Sequence, residues 1–195
     1  MSRLTFIMLF VFVCSAPRAH AQDQSQTKTA EAAQAAAATP APAAKPADVA
    51  SPDAILAAVY DVISGPPGPR DWDRFNSLFA SGARLIPVGP KKDGTGINAT
   101  VMSPLDYSTR AGSYFLKNGF VEREASRKFE QYGDIMQIFS TYESRHDAKD
   151  DKPFARGINS FQLYNDGKRW WIVTIMWQEE TPNNPLPKAF LPGAK

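Results

Sequence analysis

The sequence predicts an α+β domain in which helices come first and a run of long strands follows. Apolar residues recur at helical spacing in segments between residues 52 and 118. After Gly119 the pattern changes to four alternating stretches, which is typical of half-buried strands. Short turns join these stretches, and Asp166-Gly167 is the strongest hairpin signal in the chain. Together these observations favour three helices packed on one face of a curved, mostly antiparallel sheet.

The N-terminus has the pattern of a secretory signal peptide. Arg3 precedes an apolar run at residues 4–14, and Ala19-His20-Ala21 is a small-x-small ending before Gln22. We therefore expect residues 1–21 to be cleaved and the mature protein, with no membrane span, to be periplasmic or secreted. Two alternatives stay open: the run is retained as an anchor, or Cys14 carries a lipid.

Removal of the signal changes the charge and the chemistry available. It takes away Arg3 and Arg18, which leaves 20 basic residues against 20 acidic ones. This balance gives no electrostatic case for nucleic acid or an anionic membrane. Cys14 leaves as well, and His146 is then the one histidine, so thiol catalysis, a metal site and a serine–histidine triad are not expected. We predict no cofactor.

Residues 22–50 are rich in Ala, Gln and Pro and offer little apolar surface, which predicts a disordered linker. The folded domain is expected at 51–181, and residues 182–195 are expected to form a C-terminal tail.

Local signals place the first helices and strands. Ser51-Pro52-Asp53 combines a capping residue, a first-turn proline and an acid, and a helix follows until the GPPGP segment at 65–69. A second helix is expected at about 70–80. The same capping pattern begins a third helix at Ser103, which stops at Asn118-Gly119. Strands are expected at 83–89 and 97–102, and then at about 120–131, 135–146, 154–164 and 169–179.

Three segments carry a resemblance to a known superfamily. They are DWDRFNSLFASGARLIPV at 71–88, FSTYESRH at 139–146 and RGINSFQLYNDGKRWWIVTIMWQEE at 156–180. With the order of elements, they resemble the nuclear transport factor 2-like superfamily, which includes ketosteroid isomerases, scytalone dehydratase and SnoaL-like cyclases. The resemblance implies a cone-shaped roll with a pocket inside and a homodimer formed through the outer face of the sheet.

The resemblance does not transfer a set of catalytic residues. Tyr60 is comparable with the tyrosine of ketosteroid isomerases, but Ser81-Gly82 stands where relatives often carry a carboxylate. His146 lies at a strand end beside a charged loop, whereas cyclases and scytalone dehydratase use histidine in acid–base pairs. Whether the protein is an enzyme therefore stays open.

Strand alternation predicts which side chains face the pocket. One set of alternating residues on the first long strand is wholly polar, so we assign the opposite set to the interior, assuming turns that keep parity. This places a polar cluster at one end of an apolar cavity, suited to a small molecule with an anionic or carbonyl group. The predicted cluster is Arg123, Glu143, Arg145, Asn159, Thr174 and Gln178.

The cluster has three interpretations. It is a structural ion-pair network in which Asn159 bridges, or Glu143 is a general base, or the cluster only binds a ligand. Flanking arginines would lower the pKa of Glu143, which weakens it as a base.

On the predicted outer face, Arg156 falls opposite Trp177 as a cation–π pair. With Trp171, Val173 and Ile175 it forms an apolar stripe, which a dimer partner or the C-terminal segment would cover. The overall prediction is an exported domain that binds a small, largely apolar molecule. The alternatives are a hydro-lyase, isomerase or cyclase, and a protein-binding dimerisation module.

Overall fold

The computed structural model describes residues 42–193. Its elements, in chain order, are α1 (Pro52–Ile63), α2 (Trp72–Ser77), β1 (Phe79–Pro90), β2 (Ile97–Ala99), α3 (Pro104–Phe115), β3 (Val121–Tyr132), β4 (Ile135–Arg145), β5 (Ala155–Asn165) and β6 (Trp170–Glu179). Two short 3-10 helices, Pro46–Val49 and Lys188–Phe190, flank them.

Side-chain caps fix where α1 and α3 begin. The Ser51 hydroxyl accepts a hydrogen bond from the Ala54 amide at 3.1 Å, as the Ser-Pro pattern predicted. At α3, Ser103 and Asp106 form a capping box in which each side chain bonds the other residue's backbone. Both helices therefore start at a residue that satisfies otherwise unpaired amide groups.

The second helix is shorter than the sequence predicted. It spans six residues instead of about 70–80, because the chain enters β1 at Phe79. Phe79 is opposite Ile172 of β6, and its ring packs 4.8 Å from the ring of Phe75. Burial of Phe79 in the sheet and the core thus ends the helix earlier than local propensity would.

The strands form one six-stranded sheet in the order β2-β1-β6-β5-β4-β3. All neighbouring pairs are antiparallel except β1 and β6, which run parallel. The predicted α+β class with a mostly antiparallel sheet is therefore confirmed.

The core lies between the helices and one face of the sheet. Ile55 and Leu56 of α1 and Phe75 of α2 are almost fully buried, and they pack with Ile138 and Phe161 of the sheet. Burial of each such side chain contributes roughly 1.5–3 kcal/mol. This shared core fixes the helices over one face of β4 and β5.

The folded part begins earlier than the predicted boundary at residue 51. Val49 in the 3-10 helix is 4% exposed, and Asp48 forms an ion pair with Arg74 of α2 at 2.7 Å. The prediction that the linker extends to residue 50 is wrong for this segment, because an apolar side chain and a charged one both find partners on the domain. Residues 1–41, which include the predicted signal and most of the linker, lie outside the described residues.

The C-terminal segment lies on the sheet face that the helices leave open. The Thr141 hydroxyl donates to the carbonyl of Phe190 at 2.7 Å, and the rings of Phe139 and Phe190 are 5.7 Å apart. Leu186 donates its amide to Glu180 at 3.0 Å. The segment thus covers part of the outer face, one of the two predicted coverings, although it does so on β4.

Candidate functional site

The register between β4 and β5 decides which side chains face the helices. Tyr142 pairs with Gly157 and Ser140 with Asn159, so even-numbered residues of β4 stand opposite odd-numbered residues of β5. The connection between these strands therefore does not keep parity. The predicted interior set is wrong for β4 and for the first part of β3, where the helices cover Glu122 and Ser144 instead of Arg123 and Glu143. A register shift between Glu124 and Ser126 returns Arg127 and Phe129 to the predicted face.

A second irregularity changes the assignment along β6. Leu163 pairs with Ile172, but Gln162 pairs with Thr174, so one extra residue is inserted in β6 between these pairs. Trp170 and Ile172 face the core as predicted. Beyond the bulge Ile175 and Trp177 face it, and the alternation places Thr174 and Gln178 on the outer side.

The predicted pocket cluster does not come together. Thr174 and Gln178 lie on the outer side of the sheet, and the other four residues fall into two groups. Asn159 lines the cavity, as predicted. Arg123, Glu143 and Arg145 form an ion-pair network away from it, with Arg145 Nη2 at 2.9 Å and Arg123 Nη2 at 3.2 Å from Glu143 Oε2. The structural interpretation of Glu143 therefore agrees with the geometry, although Asn159 does not bridge this network.

Glu143 has the electrostatics of a paired carboxylate and not of a base. Burial acts to raise its pKa, but hydrogen bonds from Arg145 and Arg123 outweigh burial and hold the pKa below its ordinary value. Arg145 is 5% exposed, so its charge depends on this partner.

The four predicted interface residues also separate. Ile175 and Trp177 line the cavity on the helix side. Arg156 pairs with Glu180 at 2.7 Å, so the predicted cation–π pair with Trp177 is wrong. Trp171 donates its indole N–H to Asp166 at 2.8 Å, and the guanidinium of Arg169 stacks 3.6 Å from its ring centroid.

The cavity lies between the helices and the inner face of the sheet and has a volume of about 210 Å³. Most of its wall is apolar, and α1, α2, β1, β5 and β6 all contribute. The apolar wall includes Val59, Ile63, Phe75, Leu85, Phe161 and Ile175.

Glu122 brings a carboxyl group into the wall of this cavity. Ser144 donates its hydroxyl to Oε2 at 2.7 Å, and Asn159 donates Nδ2 to Oε1 at 3.3 Å. The backbone amide of Glu122 donates to Ser64 Oγ at 3.0 Å, which ties β3 to the end of α1. The carboxyl group is therefore held by neutral donors, in contrast to Glu143.

Burial raises the pKa of Glu122 to about 7, although the hydrogen bonds from Ser144 and Asn159 favour the carboxylate. Both protonation states are therefore populated near neutral pH. A carboxyl group with this pKa can either accept or donate a proton under physiological conditions.

Tyr60 is a satisfied core residue beside the cavity. Its hydroxyl lies 2.7 Å from Ser140 Oγ and accepts from Asn159 Nδ2 at 3.1 Å. The ring is 6% exposed, and burial raises its pKa. Because its hydroxyl is bonded to these two side chains, Tyr60 positions Asn159 and is not among the cavity-lining residues.

Tyr142 differs from Tyr60, because it lines the cavity and its hydroxyl has no hydrogen-bond partner among the described residues. It is 5% exposed and lines the cavity, yet its hydroxyl makes no hydrogen bond to any residue between 42 and 193. With Trp177 and Glu179 it also lines a surface depression beside β1 and β2, so these three residues mark the opening of the cavity. The ring is thus buried while its hydroxyl is open to the cavity, where a bound molecule can form a hydrogen bond with it.

Close packing fixes the position of Tyr142. A Cβ atom on Gly157 would lie 2.5 Å from the Tyr142 hydroxyl oxygen and 2.3 Å from the backbone oxygen of Gln178. Glycine is therefore required opposite Tyr142, and it allows the ring to lie flat across β5 at the cavity opening.

Sequence reasoning missed Glu122, Tyr142, Ser144 and Glu179. The polar set on β3 was assigned to solvent, although Glu122 of that set is half-buried and lines the cavity. A signal was present on β4, where the set chosen for the interior contains adjacent charges at 143 and 145, while the other set is apolar or small and polar. That contrast favours the even-numbered set as the interior.

Residues 42–193 contain neither a membrane-spanning helix nor a metal-binding cluster of side chains. No helix there is long and apolar enough to cross a membrane. No group of three or more His, Cys, Asp or Glu side chains in the same range is placed to hold a metal ion.

Comparison with known proteins gives structural likenesses at low identity. No family model and no curated protein match the chain. A protein of unknown function with a cystatin-like fold from Nostoc punctiforme is 12% identical, with a TM-score of 0.49, over 68% of this chain and 90% of its own. A nuclear transport factor 2-like protein of unknown function from Pseudomonas putida is 10% identical, with a TM-score of 0.48, over 64% and 80%.

A ketosteroid isomerase-like protein from Parabacteroides distasonis is 11% identical, with a TM-score of 0.44, over 68% of this chain and 89% of its own. At these values the likenesses carry no argument about activity. The assignment of the fold rests on this chain's own element order: two helices, two strands, a third helix and four long antiparallel strands. That order and pairing agree with the predicted α+β fold, in which three helices pack on one face of a mostly antiparallel sheet.

Proposed function

We propose that the domain binds a small, largely apolar molecule in the cavity between its helices and its sheet. The observation that carries the proposal is the hydroxyl of the buried residue Tyr142, which faces the cavity without a hydrogen-bond partner among the described residues. An apolar wall that ends in a few polar groups is the usual composition of a ligand site. This arrangement corresponds to the pocket of the cone-shaped roll that the resemblance implies.

The size of the cavity limits the ligand. Its volume of about 210 Å³ is below the roughly 300–1,000 Å³ typical of sites for drug-sized molecules. A molecule with one ring or a short branched chain fits this volume.

The polar groups limit the chemistry of the ligand. The predicted preference for an anionic or carbonyl group depended on Arg123 and Arg145, which lie outside the cavity. Glu122 and Glu179 replace them. Carboxylates repel an anion, so we propose a ligand without an anionic group.

Binding of benzyl alcohol to the full-length protein tests the proposal. Ala155 lines the cavity, and Ala155→Leu adds three carbon atoms to the cavity wall. Ala99→Leu on exposed β2 is the matched control. We expect ligand-detected NMR to show binding to the wild type and the control, and a loss of roughly tenfold or more in the filled variant. Equal binding by all three proteins would contradict the proposal.

A second function is favoured by the environment of Glu122. A carboxyl group with a pKa of about 7 inside an apolar cavity is suited to proton abstraction next to a carbonyl group. We therefore propose Glu122, and not Glu143, as the general base if the site is catalytic. The carboxylate would take the proton from carbon, and the free Tyr142 hydroxyl would donate a hydrogen bond to the enolate oxygen.

Exchange of the methyl protons of acetophenone in D2O tests this second function. In this reaction the carbon loses a proton to Glu122 and regains a deuteron. We expect proton NMR to show exchange above the buffer rate with the wild type and with Glu143→Gln, and exchange at the buffer rate with Glu122→Gln. Loss of exchange in Glu143→Gln alone would restore the original prediction.

Export and homodimer formation stay proposals. We propose that the protein is exported by residues 1–21 and acts in the periplasm or outside the cell. The protein-binding alternative was based on a stripe that included Ile175 and Trp177, and both now belong to the cavity wall. A homodimer would use other residues of the outer face.

A further inference from the structure

We infer that the ligand of the cavity is a small organic cation, an amine whose ammonium group lies beside Glu122 and the Tyr142 hydroxyl. This inference rests on the proposed binding function and adds the chemical class of the ligand.

The charges of the wall are all of one sign. Glu122 and Glu179 both line the cavity, and Glu179 lies at its opening. None of the cavity-lining residues within 42–193 is Lys, Arg or His. The arginines of the neighbouring strands already have carboxylate partners. Arg123 and Arg145 pair with Glu143, and Arg156 pairs with Glu180. A ligand with a positive charge would therefore meet carboxyl groups without a competing cation from the protein.

Aromatic rings line the same space. Tyr107 of α3 and Trp177 of β6 meet edge to face with centroids 6.2 Å apart, and both line the cavity. Phe120 and Phe154 line it as well, with their rings 6.2 Å apart. The faces of aromatic rings attract cations, and the attraction is stronger where water is excluded. Aromatic rings combined with carboxylates therefore favour an alkyl- or arylammonium over a neutral molecule of equal size.

The Tyr142 hydroxyl supplies an independent observation, because it faces the cavity without a hydrogen-bond partner among the described residues. Its oxygen can accept one N–H of an ammonium group, while carboxylate oxygens accept the others. Asn159 Nδ2 already donates to Tyr60 and Glu122, and the Ser144 hydroxyl already donates to Glu122. The groups left to meet a ligand are therefore mainly acceptors, and a ligand rich in donors is matched to them.

The raised pKa of Glu122 makes its protonation sensitive to a positive charge bound beside it. Burial favours the neutral acid when no positive charge is present, and a bound ammonium would restore the carboxylate. The titratable groups around Glu122 are Tyr60 of α1, Tyr107 of α3 and Tyr142 of β4, and the pKa of each is raised by burial and by the Glu122 charge. Binding of an amine should consequently release a proton from Glu122 near pH 7.

Three probes test the inference: benzylamine, benzyl alcohol and benzoate. They share a benzene ring with one single-carbon substituent and differ in charge, and each is titrated into the full-length protein at pH 7. We expect benzylamine to bind at least about tenfold more tightly than benzyl alcohol, and benzoate to bind more weakly than either. Calorimetry in two buffers of different ionisation enthalpy should show proton release with benzylamine and none with benzyl alcohol.

Three glutamate variants test which carboxyl group is responsible for the preference for benzylamine. Glu122→Gln keeps the shape of the side chain and should reduce the preference for benzylamine roughly tenfold. Glu179→Gln is at an exposed position, so it tests the same charge without a risk to folding. Glu143→Gln, a carboxyl group outside the cavity, should leave the preference unchanged.

The outcomes separate the two proposals. Equal affinity for benzylamine and benzyl alcohol would overturn the cation inference and leave the binding function standing. Failure of all three probes to bind would overturn both. A preference for benzylamine that persists in Ala155→Leu would place the amine on the surface and would also overturn the inference.

Discussion

Glu122 and Glu143 are two glutamates on adjacent strands with opposite electrostatics. Glu122 is hydrogen-bonded by neutral groups inside the cavity wall, and burial raises its pKa to about 7. Glu143 lies between two guanidinium groups, which hold its pKa below the ordinary value. Their contributions to stability therefore depend on pH in opposite directions.

The first prediction concerns Glu122→Gln. The folded protein holds a proton on Glu122 up to about pH 7, whereas the unfolded chain releases it near the ordinary value of 4.5. The stabilising contribution is therefore complete below that value and is lost as pH rises through 7. We expect the variant to be more stable than the wild type at pH 8 by about 1–3 kcal/mol, because glutamine carries no buried charge.

Urea unfolding at pH 5 and pH 8 measures this effect. The difference between variant and wild type should shrink at pH 5, where both side chains are neutral in the folded protein. A difference that does not change between the two pH values would contradict the assigned state of Glu122.

The second prediction concerns Glu143→Gln, where the sign is reversed. Arg145 is 5% exposed and would lose the carboxylate that balances its charge. We expect a loss of about 1–3 kcal/mol in the free energy of unfolding at pH 7. The penalty should diminish in acid, as the wild-type carboxyl group becomes protonated below its lowered pKa. Stability equal to the wild type at pH 7 would show that the ion-pair network is not structural.

The strands show which features of an element the sequence can predict. The bounds of β3 to β6 agree with the prediction to within a residue or two, because alternation and turn residues are local signals. Register is not local. The connection at residues 146–154 and the bulge in β6 each change which face is buried, and neither has a signal in the alternation itself.

The candidate site was predicted poorly for the same reason. Asn159 lies on β5, whose face was assigned correctly, and it is the predicted pocket residue that the cavity retains. Glu122 was missed because its face of β3 was assigned to solvent. A polar residue beside other polar residues cannot be recognised as buried until the partner strand is positioned.

The third prediction concerns the C-terminal segment. It lies against Phe139 and leaves Ile158 and Met176 in the wall of a groove beside it. Truncation after Glu180 should expose this apolar surface and increase self-association. Sedimentation velocity should show a larger fraction of dimers or higher oligomers than in the intact chain. Phe190→Ala, which removes one ring, should have a smaller effect in the same direction. A monomeric truncated protein would contradict the covering role.

At the scale of the whole molecule, the order of elements was the most predictable property. Capping residues, proline and glycine positions and hydrophobic periodicity all gave the same answer, and the observed order of helices and strands along the chain agrees with it. The parallel pairing of β1 with β6 was not predicted, because no local pattern reports which distant strands become neighbours.

The fourth prediction belongs to the whole chain. Expression of the full-length gene in an exporting bacterial host should yield a protein that begins at Gln22, because Ala19-His20-Ala21 has the form of a cleavage site. Intact-mass spectrometry of the exported fraction measures this. His20→Arg together with Ala21→Arg should block processing and leave the longer form. A wild-type protein that still begins at Met1 would support an anchor instead.

The ion pair between Asp48 and Arg74 also determines how the domain would respond to force. Arg74 bonds Asp61 of α1 as well as Asp48, so it joins the segment before α1 to the helix itself. Tension applied to the chain before Pro46 would therefore be transmitted first to α2 and to the end of α1, and not to the Ser51 cap. A pull on the chain before Pro46 would therefore act on this ion-pair attachment before it reaches the Ser51 cap.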